Sequence, residues 1–293
     1  MNILGFTINI VEAVQGLSNP FTDFFFSFIS FLGEQYIIIA VLGFLYWIYN
    51  KKFGETVAIT IAVSGVFNNL IKVIVGAKRP FLEYPDRVEN LRPGTSTGNS
   101  FPSGHTQGFS TMLFSVAFYL KKLFVISAIL VILMMLSRMF LGVHYLEDVL
   151  VGAVLGIIFA YIIGHFINKY YDDKEKLFRF YNYLMIGFFP FVFLFKSDDL
   201  FKTYGMLVGL ILAITFEHSF VNFDMNISKL KKFIRYFVGL IVMISLQIGL
   251  KKIYSPFVDE SSDIFMYFDF IRYLLIAFVG FGFYPYIFKR FNF

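Results

Sequence analysis

Two histidines and three cationic side chains have the types and spacings that phosphoryl chemistry needs. The first set is Lys72 and Arg79 in "KVIVGAKRP". They stand seven residues apart, two helical turns, and share a face for as long as a helix continues. Pro80 stops that helix, because the residue before a proline avoids the α region. Asn68 stands one turn before Lys72, and a lysine inside an apolar helix is expected to be paired or functional. The second set is "PSGH", residues 102–105, directly before an apolar run. Pro102 suits a first helical turn, whose open amides point at whatever sits there. Gly104 lets an anion approach the backbone, Ser103 adds a hydroxyl, and His105 can donate or accept a proton. The third set is "SRMFLGVHYLED". Arg138 ends one apolar run, His144 precedes the next, and Asp148 follows four residues later on the same helical face. A carboxylate there can accept from one ring nitrogen and fix the other as an unprotonated nucleophile or base.

Lys72, Arg79 and Arg138, with the open amides of a helix start, describe a site for a phosphate dianion. Two histidines in different surroundings describe a nucleophile and a proton donor. The spacing alone does not say which attacks, although the aspartate at i+4 favours His144. No carboxylate cluster suited to Mg²⁺ lies in these segments, so the expected chemistry needs no metal and no cofactor. The cations themselves would neutralise the equatorial phosphoryl oxygens.

The elements that must position these residues are membrane helices. The chain has 293 residues, of which 58% are hydrophobic and only 15% charged, which no ordinary soluble domain matches. Apolar runs such as "VLVGAVLGIIFAYIIG" and "FVGLIVMISLQIGL" approach the roughly 20 residues that span a bilayer. The predicted fold class is all-α, a polytopic bundle with about nine spans. They fall near 35–50, 55–76, 106–120, 123–141, 145–168, 180–195, 203–222, 234–250 and 266–288. Residues 1–34 are expected to be an amphipathic and interfacial segment, 35–170 a catalytic core, and 171–293 accessory helices. In residues 1–18, Ile3, Ile10, Val14 and Leu17 recur at helical steps opposite Asn9, Glu12 and Gly16, as in a helix lying on a membrane surface. The apolar run 21–32 is short enough to be interfacial or re-entrant.

The formal charge of +5 does not imply a nucleic-acid partner, because the lysines and arginines come in short clusters between apolar segments. Lys51/Lys52, Lys121/Lys122, Lys169 through Arg179, Lys229 through Arg235, and Lys289/Arg290 all fall on one side, which is then cytoplasmic. The N-terminus is expected outside, the C-terminus inside, and the three polar sets at the extracytoplasmic face. The long loop 77–105 on that side, with its "GTSTGNS" stretch, reads as functional or disordered. There is no cysteine, which excludes disulfides and thiolate metal sites.

With these residues in place, the sequence resembles the type-2 phosphatidic acid phosphatases, which share a superfamily with glucose-6-phosphatase and the vanadium haloperoxidases. The resemblance rests on Lys72…Arg79-Pro80, on Pro102-Ser103-Gly104-His105, and on Ser137-Arg138…His144…Asp148. It covers roughly residues 35–170. It implies that His144 is the nucleophile and forms a phosphohistidine, that Asp148 orients it, and that His105 protonates the leaving group. It also implies that Lys72, Arg79, Ser103, Gly104 and Arg138 hold the phosphoryl group. The expected substrate is a lipid phosphate or diphosphate: a phosphatidate, phosphatidylglycerophosphate, polyprenyl diphosphate or sphingoid phosphate. A sugar phosphate or transfer to an acceptor are the competing readings.

Outside these motifs, Asp269 and Arg272 lie three apart in the last apolar stretch, expected either to pair or to line a substrate entrance. Arg87, Arg92, Lys251 and Lys252 read as solvated loop charges. Glu217, His218 and His165 read as structural or interfacial.

Overall fold

The apolar runs form helices, and no strand occurs among the described residues of the computed structural model, 3–260 and 262–291. The helices are α1 (Ile3–Gln15), α2 (Pro20–Phe31), α3 (Gln35–Phe44), α4 (Lys51–Val75), α5 (Pro80–Glu83), α6 (Gly104–Tyr119), α7 (Phe124–Phe140), α8 (Leu146–Tyr170), α9 (Lys174–Leu194), α10 (Asp198–Phe216), α11 (Lys229–Tyr254), α12 (Asp263–Phe278) and α13 (Tyr284–Phe291). Wide π-type turns continue α3, α10 and α12. A helix stands at each of the nine predicted spans. Seven are long and apolar enough to cross a bilayer, and eight if the pair Pro20–Phe31 and Gln35–Tyr49, bent by 50°, makes one span. α6 is the short one. Its 16 residues rise about 24 Å against a hydrocarbon core of about 30 Å. The chain is a multi-pass membrane protein.

The chain divides into two compact units. The first contains the described residues up to Ile37 together with Phe67–Ile162. Here α7 packs against α1, α2 and α6. α8 approaches α6 through two glycines on one face. A Cβ at Gly152 would stand 2.8 Å from the Ser103 carbonyl oxygen, and one at Gly156 2.6 Å from Ser110 Cβ. Small residues at this spacing let membrane helices close to backbone contact. The Ser110 hydroxyl donates to the Ala153 carbonyl at 2.9 Å across that contact. The "PSGH" helix start is thereby held against the helix that carries Asp148.

The N-terminal segment departs from its predicted register. Among the described side chains of α1, Thr7, Ile8 and Val11 are buried; Ile8 and Val11 pack with Val88 and Tyr145, Val14 of the predicted stripe packs against the Phe140 cluster, and Leu17 is exposed. The apolar face therefore covers the loops beside His144, not the stripe through Ile10 and Leu17. The side chain of Ile3 lies outside the described residues. Asn19 caps α2, accepting from the Phe21 and Thr22 amides, with Pro20 in the first turn. Arg87 is exposed, as a loop charge is, and Arg92 is half-buried, but both are paired. Arg87 binds Glu12 and, at 2.7 Å, Asn9. Arg92 binds Glu34 and donates at 2.8 Å to the Ser27 carbonyl. Both draw the N-terminal helices onto the long loop.

The second unit contains Ile38–Val66 and the described residues from Ile163 on. α10 lies against α12 at backbone distance, with Gly205 and Gly209 facing the Phe270 and Leu274 carbonyls. Carbonyls freed by the wide turn Val279–Phe283 are recaptured: Trp47 Nε1 donates to Gly280 O and the Tyr46 hydroxyl to Phe281 O, each at 2.9 Å. Asp269 and Arg272 pair at 2.8 Å, with Tyr254 bonded to both. Lys202 approaches the same carboxylate at 3.5 Å. At the other end of this unit Glu217 binds Lys51, and His218 reaches Glu55 at 2.9 Å. Lys251 pairs with Glu260 at 3.1 Å. An isolated intramembrane charge is expensive, and the pairings of Asp269, Arg272, Glu217 and Glu55 offset part of that cost, while Lys251 and Glu260 are an exposed loop pair.

Candidate active site

All the predicted site residues belong to the first unit. They come from the end of α4 (Lys72), the start of α5 (Arg79), the start of α6 (Ser103, Gly104, His105), the end of α7 (Arg138), the following turn (His144) and the start of α8 (Asp148). Pro102 precedes the helix instead of opening it. Ser103 is the cap, with an extended backbone and its hydroxyl accepting from the Thr106 amide at 3.5 Å and the Thr106 hydroxyl at 3.0 Å. The amide of Ser103 donates to the Asp148 carbonyl at 3.0 Å, a direct tie between the second and third motifs. A Cβ on Gly104 would stand 3.3 Å from Asn68 Oδ1 and 3.8 Å from Lys72 Cε. The tight contact is with Asn68, against which the bare backbone lets the helix start sit, while the distance to Lys72 is ordinary van der Waals contact. Asn68 donates to Gln107 Oε1 at 2.8 Å, which locks α4 to α6 one turn away from Lys72.

The "STGNS" part of the long loop, residues 96–100, organises the cations. Lys72 Nζ donates to the Asn99 carbonyl at 2.5 Å, and Asn99 returns a bond to the Lys72 carbonyl at 2.9 Å. Arg79 donates to the Gly98 carbonyl at 2.9 Å and the Thr97 carbonyl at 2.6 Å. Ser100 donates to Asp148 Oδ2 at 2.5 Å and lies 3.3 Å from His144 Nδ1. Sequence reasoning marked this loop as functional or disordered without singling out Ser100, which has no recognisable spacing to any motif. It also missed Ser30, which accepts from Arg138 at 2.5 Å and holds the guanidinium from α2.

The hydrogen bonds around His144 fix its tautomer. Nδ1 faces Asp148 Oδ2 at 3.2 Å, and that oxygen also accepts from the Tyr145 amide at 2.9 Å. Nε2 faces Arg79 Nη1 at 3.2 Å. A guanidinium only donates, so Nε2 must carry the lone pair and Nδ1 the proton. Burial first, then the charges of Arg79, Arg138 and Lys72, hold His144 well below the ordinary histidine range. The neutral form therefore persists on acidification. The acid limb of kcat/KM set by this group is expected below pH ~6.5, measured on a substrate whose own ionisation is titrated separately. A limb of the enzyme at or above ~6.5 would contradict a nucleophile kept neutral by its surroundings. Between its folded value and ~6.5 the unfolded chain binds a proton that the folded chain does not, so this histidine makes stability rise with pH through that window and drop on acidification through it.

Gly142 makes the turn that delivers His144. Its φ is +72°, and a Cβ there would meet the Glu89 carbonyl, Val88 and Gln15. Gly142→Ala is expected to destabilise by about 1–3 kcal/mol and to lower kcat by displacing His144. Thermal unfolding and kcat on the same preparation check this, and unchanged values for both would contradict it.

The site also holds unsatisfied donors. Arg138 is fully buried, yet its Nε and Nη2 have no hydrogen-bond partner, and neither has buried Nε2 of His105. Buried polar groups are normally paired, and leaving a charged one unpaired is costly. A phosphoryl group has the oxygens these nitrogens need. Among the described residues, no cluster of three His, Asp or Glu side chains with metal-ligand geometry lies in this site.

This geometry and the comparisons with known proteins agree on the family. The chain belongs to the PAP2 superfamily: residues 55–172 match the PAP2 superfamily itself, and residues 201–293 match the PAP2 superfamily phosphatase transmembrane extension. It is thus a phosphatase of a family of membrane lipid phosphatases, built with helices beyond the PAP2 match. Among similar proteins, the lipid A 4'-phosphatase of Porphyromonas gingivalis is 27% identical over 178 residues, 56% of this chain and 72% of that one. The phosphatidylglycerophosphatase B of Bacillus subtilis is 25% identical over 48% of this chain and 70% of its own. The undecaprenyl-diphosphatase of Sulfolobus acidocaldarius is 28% identical over 52% of this chain and 74% of its own.

Proposed function

We propose that the chain hydrolyses a lipid phosphate or diphosphate through a phosphohistidine on His144. Residues 35–170 act as the catalytic core and 171–293 as accessory helices. The observation that carries this reading is the pairing of a fixed lone pair on His144 Nε2 with buried, unsatisfied donors on Arg138. A phosphoryl group held by Arg138, Arg79 and Lys72, by the hydroxyl of Ser103 and by the backbone at Gly104 has its equatorial charge compensated before any bond changes. Nε2 of His144 attacks phosphorus as the bond to the lipid oxygen breaks, and His105 gives that oxygen its proton. The imidazolium proton on Nδ1 stays facing Asp148, whose charge stabilises it. In the second half, His105 takes a proton from water, the water oxygen attacks phosphorus, the P–N bond breaks and phosphate leaves.

The relatives of similar sequence include enzymes named for lipid A, phosphatidylglycerophosphate and undecaprenyl diphosphate. They support a lipid substrate and leave the tail and the number of phosphates to experiment. The clusters Lys51/Lys52, Lys121/Lys122 and Lys229 through Arg235 support a cytoplasmic C-terminus, an N-terminus outside and an extracytoplasmic site. The direct test is phosphate release by purified full chain from a panel: phosphatidate, phosphatidylglycerophosphate, a polyprenyl diphosphate, a sphingoid phosphate and glucose 6-phosphate. Turnover of at least one lipid well above the sugar phosphate is expected. Turnover of glucose 6-phosphate alone would overturn the lipid assignment.

A further inference from the structure

The basic end of the second unit contains a cavity of about 480 Å³ between the 222–228 loop, the first turn of α11 and the end of α13. Its wall carries Lys231, Arg235 and Lys289 against a single acid, Asp224. That acid is absorbed by the loop: its carboxylate accepts from the Asn226 amide at 2.7 Å. Its carbonyl accepts from Arg235, also at 2.7 Å. Arg235 is only 3% exposed, and its guanidinium lies 4.3 Å from the Phe288 ring centre and 5.6 Å from that of Phe223. Two aromatic faces thus hold a buried cation in the cavity wall. Ser228 caps α11, so a 26-residue helix begins at the cavity with the positive end of its dipole there. Side chains and helix end act with one sign, and such a cavity concentrates anions.

The adjacent surface favours a ligand with tails. Leu230, Phe233, Phe237 and Ile241 recur at steps of three and four along α11 and are 69%, 59%, 46% and 65% exposed. In a membrane protein this stripe faces acyl chains; it lies roughly 130° around α11 from the cavity-lining Lys231 and Arg235, and the exposed Ile234 and Val238 continue the apolar surface from it toward that side. A basic pocket at the end of membrane helices is the arrangement that captures anionic headgroups. We propose that this cavity is a non-catalytic binding site for a phosphate group, supplied by the headgroup of an anionic phospholipid whose tails lie along α11. The lipid lies in the leaflet that the basic clusters mark as cytoplasmic.

The test is lipid retention by the full chain in native mass spectrometry, with phosphatidylglycerol against phosphatidylcholine of the same acyl chains. Phosphatidylglycerol is a phosphodiester, so its retention is not phosphomonoester binding at His144. Wild type is expected to prefer phosphatidylglycerol, K231E/K289E to lose at least about tenfold of that preference, and Arg138→Ala to keep it. Should charge reversal prevent folding, K231Q/K289Q reads the same loss. A preference that survives both double variants, or no preference in wild type, would overturn the lipid assignment. A parallel arm measures thermal stabilisation by inorganic phosphate in phosphatidylcholine nanodiscs, with Arg138→Ala as background. Stabilisation that depends on Lys231 and Lys289, without any phosphatidylglycerol preference, would assign the phosphate site to a soluble ligand and reject the lipid.

Discussion

Replacing His144 by alanine is expected to lower kcat on a lipid phosphate by at least about 10⁴-fold, with the protein still inserted and folded. Losing the nucleophile leaves the cations and the helix start in place, so substrate binding should change little while phosphoryl transfer stops. The environment of the ring supports so large an effect. Its reactive nitrogen is already a lone pair, its other nitrogen is committed to Asp148, and both bonds are buried. No other imidazole is arranged to replace it, because His105 on α6 has no carboxylate bonded to its ring among the described residues. Glutamine at 144 keeps most of the volume and provides the folding control. Wild-type turnover by either variant would refute His144 as the attacking group.

The second large effect is expected at Asp148. Asp148→Asn keeps the shape but can present an N–H to His144 Nδ1. The ring would then donate from Nε2, and the lone pair would be lost from the position facing Arg79. In serine-protease triads the corresponding change lowers kcat about 10⁴-fold through the wrong tautomer, and a loss of about 10³–10⁴ is expected here. Asp148 also accepts from the Tyr145 amide and Ser100. The loss should therefore appear in kcat much more than in KM, since the phosphate-binding cations are untouched. A rise in KM with kcat intact would show instead that Asp148 serves binding.

Much of the site was legible because its parts are spaced locally. His144 and Asp148 meet as their spacing of four predicts, but α4 ends at Val75 and Arg79 lies in extended backbone, so Lys72 and Arg79 are held by the carbonyls of residues 97–99 and not by a shared helical face. Helices stand where the apolar runs are. The unreadable parts are those made by contacts distant in sequence. Ser100 reaches Asp148 across 48 positions and Ser30 reaches Arg138 across 108, and neither has a spacing that announces it. The face of α1 was misassigned for the same reason. Its weak amphipathic pattern allowed more than one stripe, and Val88 and Tyr145, from two different loops, selected the one through Ile8 and Val11. Arg87 remains an exposed loop charge, and its partners Glu12 and Asn9, like Glu34 and the Ser27 carbonyl for Arg92, come from the N-terminal helices far away in sequence.

Trapping the phosphoenzyme is the most direct measurement. Purified full chain is mixed with a turned-over lipid substrate labelled at phosphorus, quenched in base within the first turnover, digested and mapped. A label that is stable in base, labile in acid, located on residue 144 and absent from His144→Gln is the predicted result. A label on any other residue, or rapid hydrolysis by His144→Gln with no phosphoenzyme in wild type, would contradict it.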